Sequence, residues 1–206
     1  MLMNKIRVLI ADDHAILRTG LKSLFSTQKD IEVVGEASDG TTAIELTGQK
    51  HPNVVLMDLS MPGMYGVEAT AELVKRHPDV KVLILTTFGT SDSIDRALKS
   101  GASGAILKTA DFSELLAAIR KVSAGEKYVS PDIAQILADD PPLPTLSQRQ
   151  RDVLESITRG LSNTDIAKHL GISVGMVKEH VMALYAKIGA ANRSEAVSIA
   201  IRKHLI

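Results

Sequence analysis

The chain contains no cysteine, so neither a disulfide nor a thiolate metal site can form. A reducing compartment is compatible with that, and the cytoplasm is the expected location. No apolar run approaches the ~18–20 residues needed to cross a bilayer, so no membrane-spanning helix is expected and membranes drop out as partners. Lys5 and Arg7 fall inside the first apolar stretch, which argues against a signal peptide. There is no internal repeat and no low-complexity tract. Net charge is missing too: 24 Lys and Arg stand against 24 Asp and Glu. What remains is 45% apolar and 23% charged over 206 residues, ordinary for a globular protein of one or two domains.

The zero net charge conceals a division. Residues 1–142 hold 15 Lys and Arg against 19 Asp and Glu, net −4, whereas residues 143–206 hold 9 against 5, net +4. Three of the six histidines lie in the basic part. An acidic front and a basic back suit a protein of which only the back meets a polyanion.

In the front part, apolar β-rich runs at 6–11, 31–35, 54–57, 80–85 and 104–107 alternate with helical patterns at 14–27, 40–50, 66–76, 92–100 and 112–124. Asp111 and Glu114 fit the N-cap and third position of the last helix. Five strands with interleaved helices predict an α/β domain with a doubly wound parallel sheet over residues 1–125. Residues 126–144 read as a linker with a short helix near 131–138, because Pro141, Pro142 and Pro144 cannot continue a helix. Beyond it the strand signal disappears. Helices are expected at 148–159, 163–170, 174–188 and 193–203, making residues 145–206 a small all-α, four-helix domain. Ser147 with Gln150 and Ser162 with Asp165 have capping-box spacing, and Gly171-Ile172-Ser173 is a tight turn suited to a helix-turn-helix.

Polar residues gather where the strands end. Strand one stops at Asp12-Asp13, strand three at Asp58, strand four at Thr86 and strand five at Lys108. Any one of these has an ordinary structural explanation, as a cap, a strand former or a snorkelling lysine. Together they fall at the sheet edge where ligands of open α/β sheets bind. Three carboxylates brought together need a cation, and oxygen ligands without Cys or His point to Mg²⁺. A carboxylate with one free oxygen can attack a phosphoryl donor, while a lysine and a threonine steady the transferred group.

The segments Ala11-Asp12-Asp13-His14, Met57-Asp58-Leu59-Ser60-Met61-Pro62-Gly63, Leu85-Thr86-Thr87 and Gly101-Ala102-Ser103-Gly104 leading to Lys108 resemble the receiver domain of two-component response regulators. The resemblance implies a flavodoxin-like fold, Asp58 as phosphoacceptor, and Mg²⁺ held by Asp12, Asp13, Asp58 and the Ser60 carbonyl. It makes Thr86 the switch hydroxyl, Lys108 the phosphate partner, and a sensor histidine kinase the donor. Three positions depart from the usual pattern: Thr109 follows the lysine in place of proline, Tyr65 precedes Gly66, and Ala105 stands where an aromatic is typical. A methyl group cannot fill the space such an aromatic takes, so the signal is expected to leave another way, such as through the loop carrying Phe88 and Gly89.

On helix 174–188, Val177, Val181, Leu184 and Ile188 share an inward stripe, while Gly175, Glu179, Met182 and Ala186 face outward between Lys178 on one edge and His180 and Lys187 on the other. Such a face suits a major groove. The run from Leu146-Ser147 through Leu170-Gly171-Ile172-Ser173, Val177-Lys178 and Lys187-Ile188-Gly189 to Asn192-Arg193 resembles the LuxR-type helix-turn-helix, and with the receiver the NarL/FixJ class of transcription regulators. The resemblance implies double-stranded DNA as partner, Lys178, Glu179 and Met182 at base-facing positions, and Lys187 and Arg193 as candidates for phosphate contact. Met176 and Ala183 replace a usual Thr and Asn, so the contacts of those side chains are expected to be missing. Val197, Ile201 and Leu205 on one side of the last helix, with Ala196, Ile199 and Ala200 on another, are read as a homodimer face formed on phosphorylation. Two other readings are a phosphotransferase enzyme and a regulator that works without phosphorylation. Ser60, two residues after Asp58, lacks the carboxylate that an enzyme of the first kind uses as general acid, and the complete acidic set argues against the second.

Overall fold

The computed structural model describes residues 5–87, 90–144, 146–203 and 205. The chain divides into two compact units, Met1–Asp140 and Pro141–Ile206. Among the described residues no helix is long and apolar enough to cross a membrane.

The first unit alternates strands and helices: β1 (Ile6–Ala11), α1 (Ala15–Ser26), β2 (Ile31–Ala37), α2 (Gly40–Lys50), β3 (Val54–Met57), α3 (Gly66–Arg76), β4 (Lys81–Thr86), α4 (Ser91–Lys99), β5 (Gly104–Leu107) and α5 (Phe112–Ser123). All strands pair in parallel, in the order β2-β1-β3-β4-β5-β6, where β6 is Tyr128–Val129. Successive strand residues point to opposite faces, so one apolar cluster, with Leu9, Val55, Met57, Val82 and Ile84, underlies α2, α3 and α4. The other, with Val8, Ile10, Leu56, Leu83, Leu85 and Ile106, underlies α1 and α5. That is why the central strands are apolar throughout: both faces are covered.

The sheet has six strands where the sequence pattern indicates five. The stretch read as linker contributes β6 (Tyr128–Val129) and α6 (Pro131–Asp139) to the first unit. Tyr128 packs into the α1/α5 cluster and donates from its hydroxyl to Glu114 at 2.9 Å, with the Lys121 ammonium 5.1 Å from its ring centre. Burial first, then the Glu114 hydrogen bond and charge, push the Tyr128 phenol above its ordinary pKa. Glu114 therefore does not complete a capping box, and Asp111 caps α5 without a side-chain hydrogen bond. The Ser130 amide donates to the Ala105 carbonyl, and its hydroxyl accepts from Ile133 to open α6, with Pro131 in the first turn. Ile133 is fully buried, with Ile136 and Leu137 packed beside it in the cluster that holds Ala105. Burying one such isoleucine contributes about 1.5–3 kcal/mol to docking the nine-residue helix.

The second unit consists of α7 (Gln148–Thr158), α8 (Asn163–Leu170), α9 (Val174–Ile188) and α10 (Arg193–Arg202). Ser147, Ser162, Ser173 and Asn192 each cap a helix through a side-chain oxygen. The reciprocal box at Ser147 and Gln150 forms, whereas the Ser162 hydroxyl donates to the Asp165 carboxylate instead. The turn between α8 and α9 needs Gly171, which has φ +65° at the C-cap of α8. Val153, Leu154, Ile157, Ile166, Val177, Leu184 and Ile199 form the core. Val197 and Leu205 also pack against it, so Ile201, 64% exposed, is the one large apolar side chain that α10 presents outward among the described residues.

Candidate phosphoacceptor pocket and DNA-binding face

Register brings the polar strand ends together. Ala11 pairs with Met57 and Thr86 with Leu107, so Asp12 and Asp58 leave the sheet side by side and Lys108 leaves next to Thr86. The Asp58 amide donates to the Ala11 carbonyl at 2.9 Å and the Lys108 amide to the Thr86 carbonyl at 2.7 Å. α3 starts hard against this corner, where a Cβ on Gly66 would lie 2.0 Å from the Asp58 carbonyl oxygen. Only glycine leaves the chain after Asp58 its place.

The pocket holds two buried carboxylates on one buried ammonium. Asp12 and Asp58 are 1% and 2% exposed. Lys108 Nζ lies 2.6 Å from Asp12 Oδ2 and 2.9 Å from Asp58 Oδ2. Burial pulls the lysine pKa down, but its contacts with Asp12 and Asp58 outweigh that and raise it. Lys108 thus stays charged. One cation faces two buried carboxylates with Asp13 beside them, half-exposed, so the pocket keeps an excess of negative charge.

Asp12, Asp13, His14 and Asp58 present ligand atoms within 4.8 Å of one another. Hard carboxylate oxygens fit Mg²⁺, which binds through oxygen ligands and keeps waters for a phosphate to displace. His14 belongs to this cluster although the sequence pattern assigns it no role. Its Nδ1 lies 3.0 Å from Asp12 Oδ1 and 2.7 Å from Asp13 Oδ1, where it competes with a cation for the same oxygens. Arg18 was also missed; it donates to the Asp12 carbonyl at 2.6 Å and fixes the turn after β1. Thr86 is buried at the end of β4, and Ser60 is exposed two residues past Asp58. Ala105 is fully buried in the cluster with Ile133 rather than lining an open slot. Phe88 and Gly89 lie outside the described residues.

On α9, Val177, Leu184 and Ile188 are buried, and Gly175, Lys178, Glu179, Met182 and Ala186 are exposed. Lys187 reaches back to α7, donating to Gln150 at 3.2 Å. Arg193 sits differently from the phosphate contact expected of it. Its guanidinium donates to the carbonyls of Ile157 at 3.0 Å and Leu161 at 2.6 Å, tying α10 to the end of α7. An arginine near a helix start has no pattern of its own in sequence, so this role could not be read beforehand.

This chain belongs to the response-regulator family, a receiver joined to a LuxR-type DNA-binding domain: residues 8–120 match the response regulator receiver domain and residues 144–200 the bacterial regulatory proteins of the luxR family. Among its relatives are the oxygen regulatory protein NreC of Staphylococcus carnosus, 36% identical over 97% of this chain and 99% of that one, and the transcriptional regulatory protein DegU of Brevibacillus brevis, 35% identical over 97% and 94%. The crystal structure of the response regulator ChrA of a heme-sensing two-component system covers 98% of this chain and 100% of its own, with 37% identity and a TM-score of 0.60. A structure of two RcsB dimers bound to two parallel DNAs covers 97% and 99%, with 25% identity and a TM-score of 0.69.

Proposed function

We propose that the receiver is switched by phosphorylation of Asp58, that a sensor histidine kinase supplies the phosphoryl group, and that the switch governs dimerisation and DNA binding in the cytoplasm. The observation that carries this is the placement of Lys108 between Asp12 and Asp58, which leaves Asp58 Oδ1 unpaired by the ammonium. A carboxylate oxygen of Asp58 attacks the phosphorus, the bond from phosphorus to the donor breaks, and an acyl phosphate forms. Lys108 holds an oxygen of the transferred group, and the Thr86 hydroxyl accepts the role of second partner once transfer is complete. Mg²⁺ would be held by Asp12, Asp13, Asp58 and the Ser60 carbonyl, and it supplies neutralisation of the charge gathered there. With serine at position 60, the chain turns over no separate substrate.

In the second unit Lys178, Glu179 and Met182 face the bases of double-stranded DNA and Lys187 the backbone. The exposure of Lys178, Glu179 and Met182 on α9, the half-buried Lys187 further along the helix, and the net +4 charge of residues 143–206 support that assignment. Arg193 is left out because its guanidinium is bound to carbonyls. Incubation with acetyl phosphate and Mg²⁺ should shift the protein on a Phos-tag gel, and Asp58→Ala or EDTA should abolish the shift. Label carried by Asp12 or Asp13 in the Asp58→Ala variant would sink the assignment.

A further inference from the structure

We infer that Met182 reads the C5 methyl group of a thymine, which makes a T·A pair a fixed element of each half-site. The inference rests on the DNA-binding reading of α9 above.

Met182 is 72% exposed, more than any other large apolar side chain described in the second unit. It stands opposite the buried stripe of Val177, Leu184 and Ile188, so packing within the domain gives no account of it. On the same outer face lie Gly175 two turns earlier and Ala186 one turn later, both exposed. A Cβ on Gly175 would meet nothing but the Ser173 hydroxyl, at 3.7 Å. Gly175 and Ala186 add only a hydrogen and a methyl to that face, so the methionine is its longest apolar projection.

The chemistry of the face then assigns the contact. Lys178 and Glu179 lie beside Met182, and neither side chain has a hydrogen bond or ion pair among the described residues. Both are free to meet the donors and acceptors of base edges. A thioether has no donor and only a weak acceptor, so it reads none of that code. The apolar feature that the major-groove edge does offer is the thymine methyl. Cytosine at the same position presents an amino donor, which a thioether would desolvate without satisfying, so thymine is favoured on both counts. Methionine also suits the task because its three rotatable bonds and polarisable sulfur adapt to a methyl whose position varies with local DNA shape.

The test uses the full chain. Its DNA site is recovered by selection from random oligonucleotides, and each thymine of that site is then replaced singly by deoxyuridine, which deletes one methyl group. For the native protein, one thymine per half-site should show binding weakened about fourfold, the transfer worth of one methyl. Met182→Ala should bind the thymine site no better than the deoxyuridine site. Met182→Leu should restore part of the difference. Lys178→Ala should lower affinity throughout while keeping the thymine preference. If no thymine is sensitive, or if the sensitivity persists in Met182→Ala, the inference is wrong. If selection enriches no sequence at all, the DNA reading of α9 fails first and the inference falls with it.

Discussion

Placing a tyrosine at position 105 would restore the aromatic that receivers usually carry there, and the structure says what it would cost. Ala105 is fully buried, 0% exposed, and it lies in the same cluster as Ile133 of α6. Overpacking a closed site costs about 1–3 kcal/mol. Expelling α6 instead exposes Ile133, which by itself forfeits about 1.5–3 kcal/mol. The two routes agree on roughly 1.5–3 kcal/mol, and the second is open because α6 is a surface helix. Ala105→Tyr should therefore loosen β6 and α6. Amides of Ser130 and Ala134, which donate to Ala105 and Ser130 carbonyls, should exchange about 12–150-fold faster if they open locally. The ratio of phosphorylated to unphosphorylated DNA affinity should change with them, while the rate of Asp58 phosphorylation stays near its native value. Ala105→Ser, close in size, should change neither. Unaltered exchange at Ser130 and Ala134 in the tyrosine variant would refute the claim that α6 occupies the aromatic's place.

Lys108→Met should leave Asp12 and Asp58 buried without a cation and destabilise the first unit by about 3–5 kcal/mol in EDTA; Mg²⁺ should return much of this by binding the folded form. An unchanged melting temperature in EDTA would contradict it. Arg193→Met should cost the second unit about 2 kcal/mol through two lost charge-assisted hydrogen bonds. The salt dependence of DNA binding by fragment 143–206 should not move; a log–log slope reduced by about 0.9 would put Arg193 back among the phosphate contacts. Asp39 caps α2 by accepting from the Thr42 amide, and that bond, followed by the Thr42 hydroxyl, holds its carboxyl below the ordinary 3.8. A lowered folded pKa means stability present above that value and lost as pH falls through the folded pKa. Asp39→Ala should thus cost about 1 kcal/mol at neutral pH and converge with the native protein in acid, as denaturation at several pH values will show.

The pocket was legible because it lies at strand ends, where an apolar run stops abruptly on a charged residue: Asp12, Asp58 and Lys108 are each the first residue after a strand. The helices were legible from period and caps. What sequence left hidden depends on distance along the chain. A two-residue strand such as Tyr128–Val129 has no period to detect, and the proline at 131 reads equally as the start of α6 or as a break. Glu114 sits at capping distance from Asp111, yet a tyrosine 14 residues on captures its carboxylate. Arg193 is drawn inward by carbonyls 32 and 36 residues earlier. On α10 the apolar pattern overstated the free surface, since Val197 and Leu205 are taken up by the domain's own core.

Because β6 and α6 close the sheet from beyond α5, the first unit cannot be finished when its last major strand leaves the ribosome. Until Tyr128 and Val129 arrive, β5 is open along Gly104 and Ala105, the half of its edge that β6 covers, with neither charge nor proline to discourage pairing with another chain. Those 22 residues of separation take about 1–4 s to synthesise at ordinary translation rates. During that interval the nascent chain carries a sticky margin, and any variant that slows translation or weakens docking between 108 and 139 lengthens the exposure. Yield in the cell, rather than signalling, is where such a variant would first be noticed.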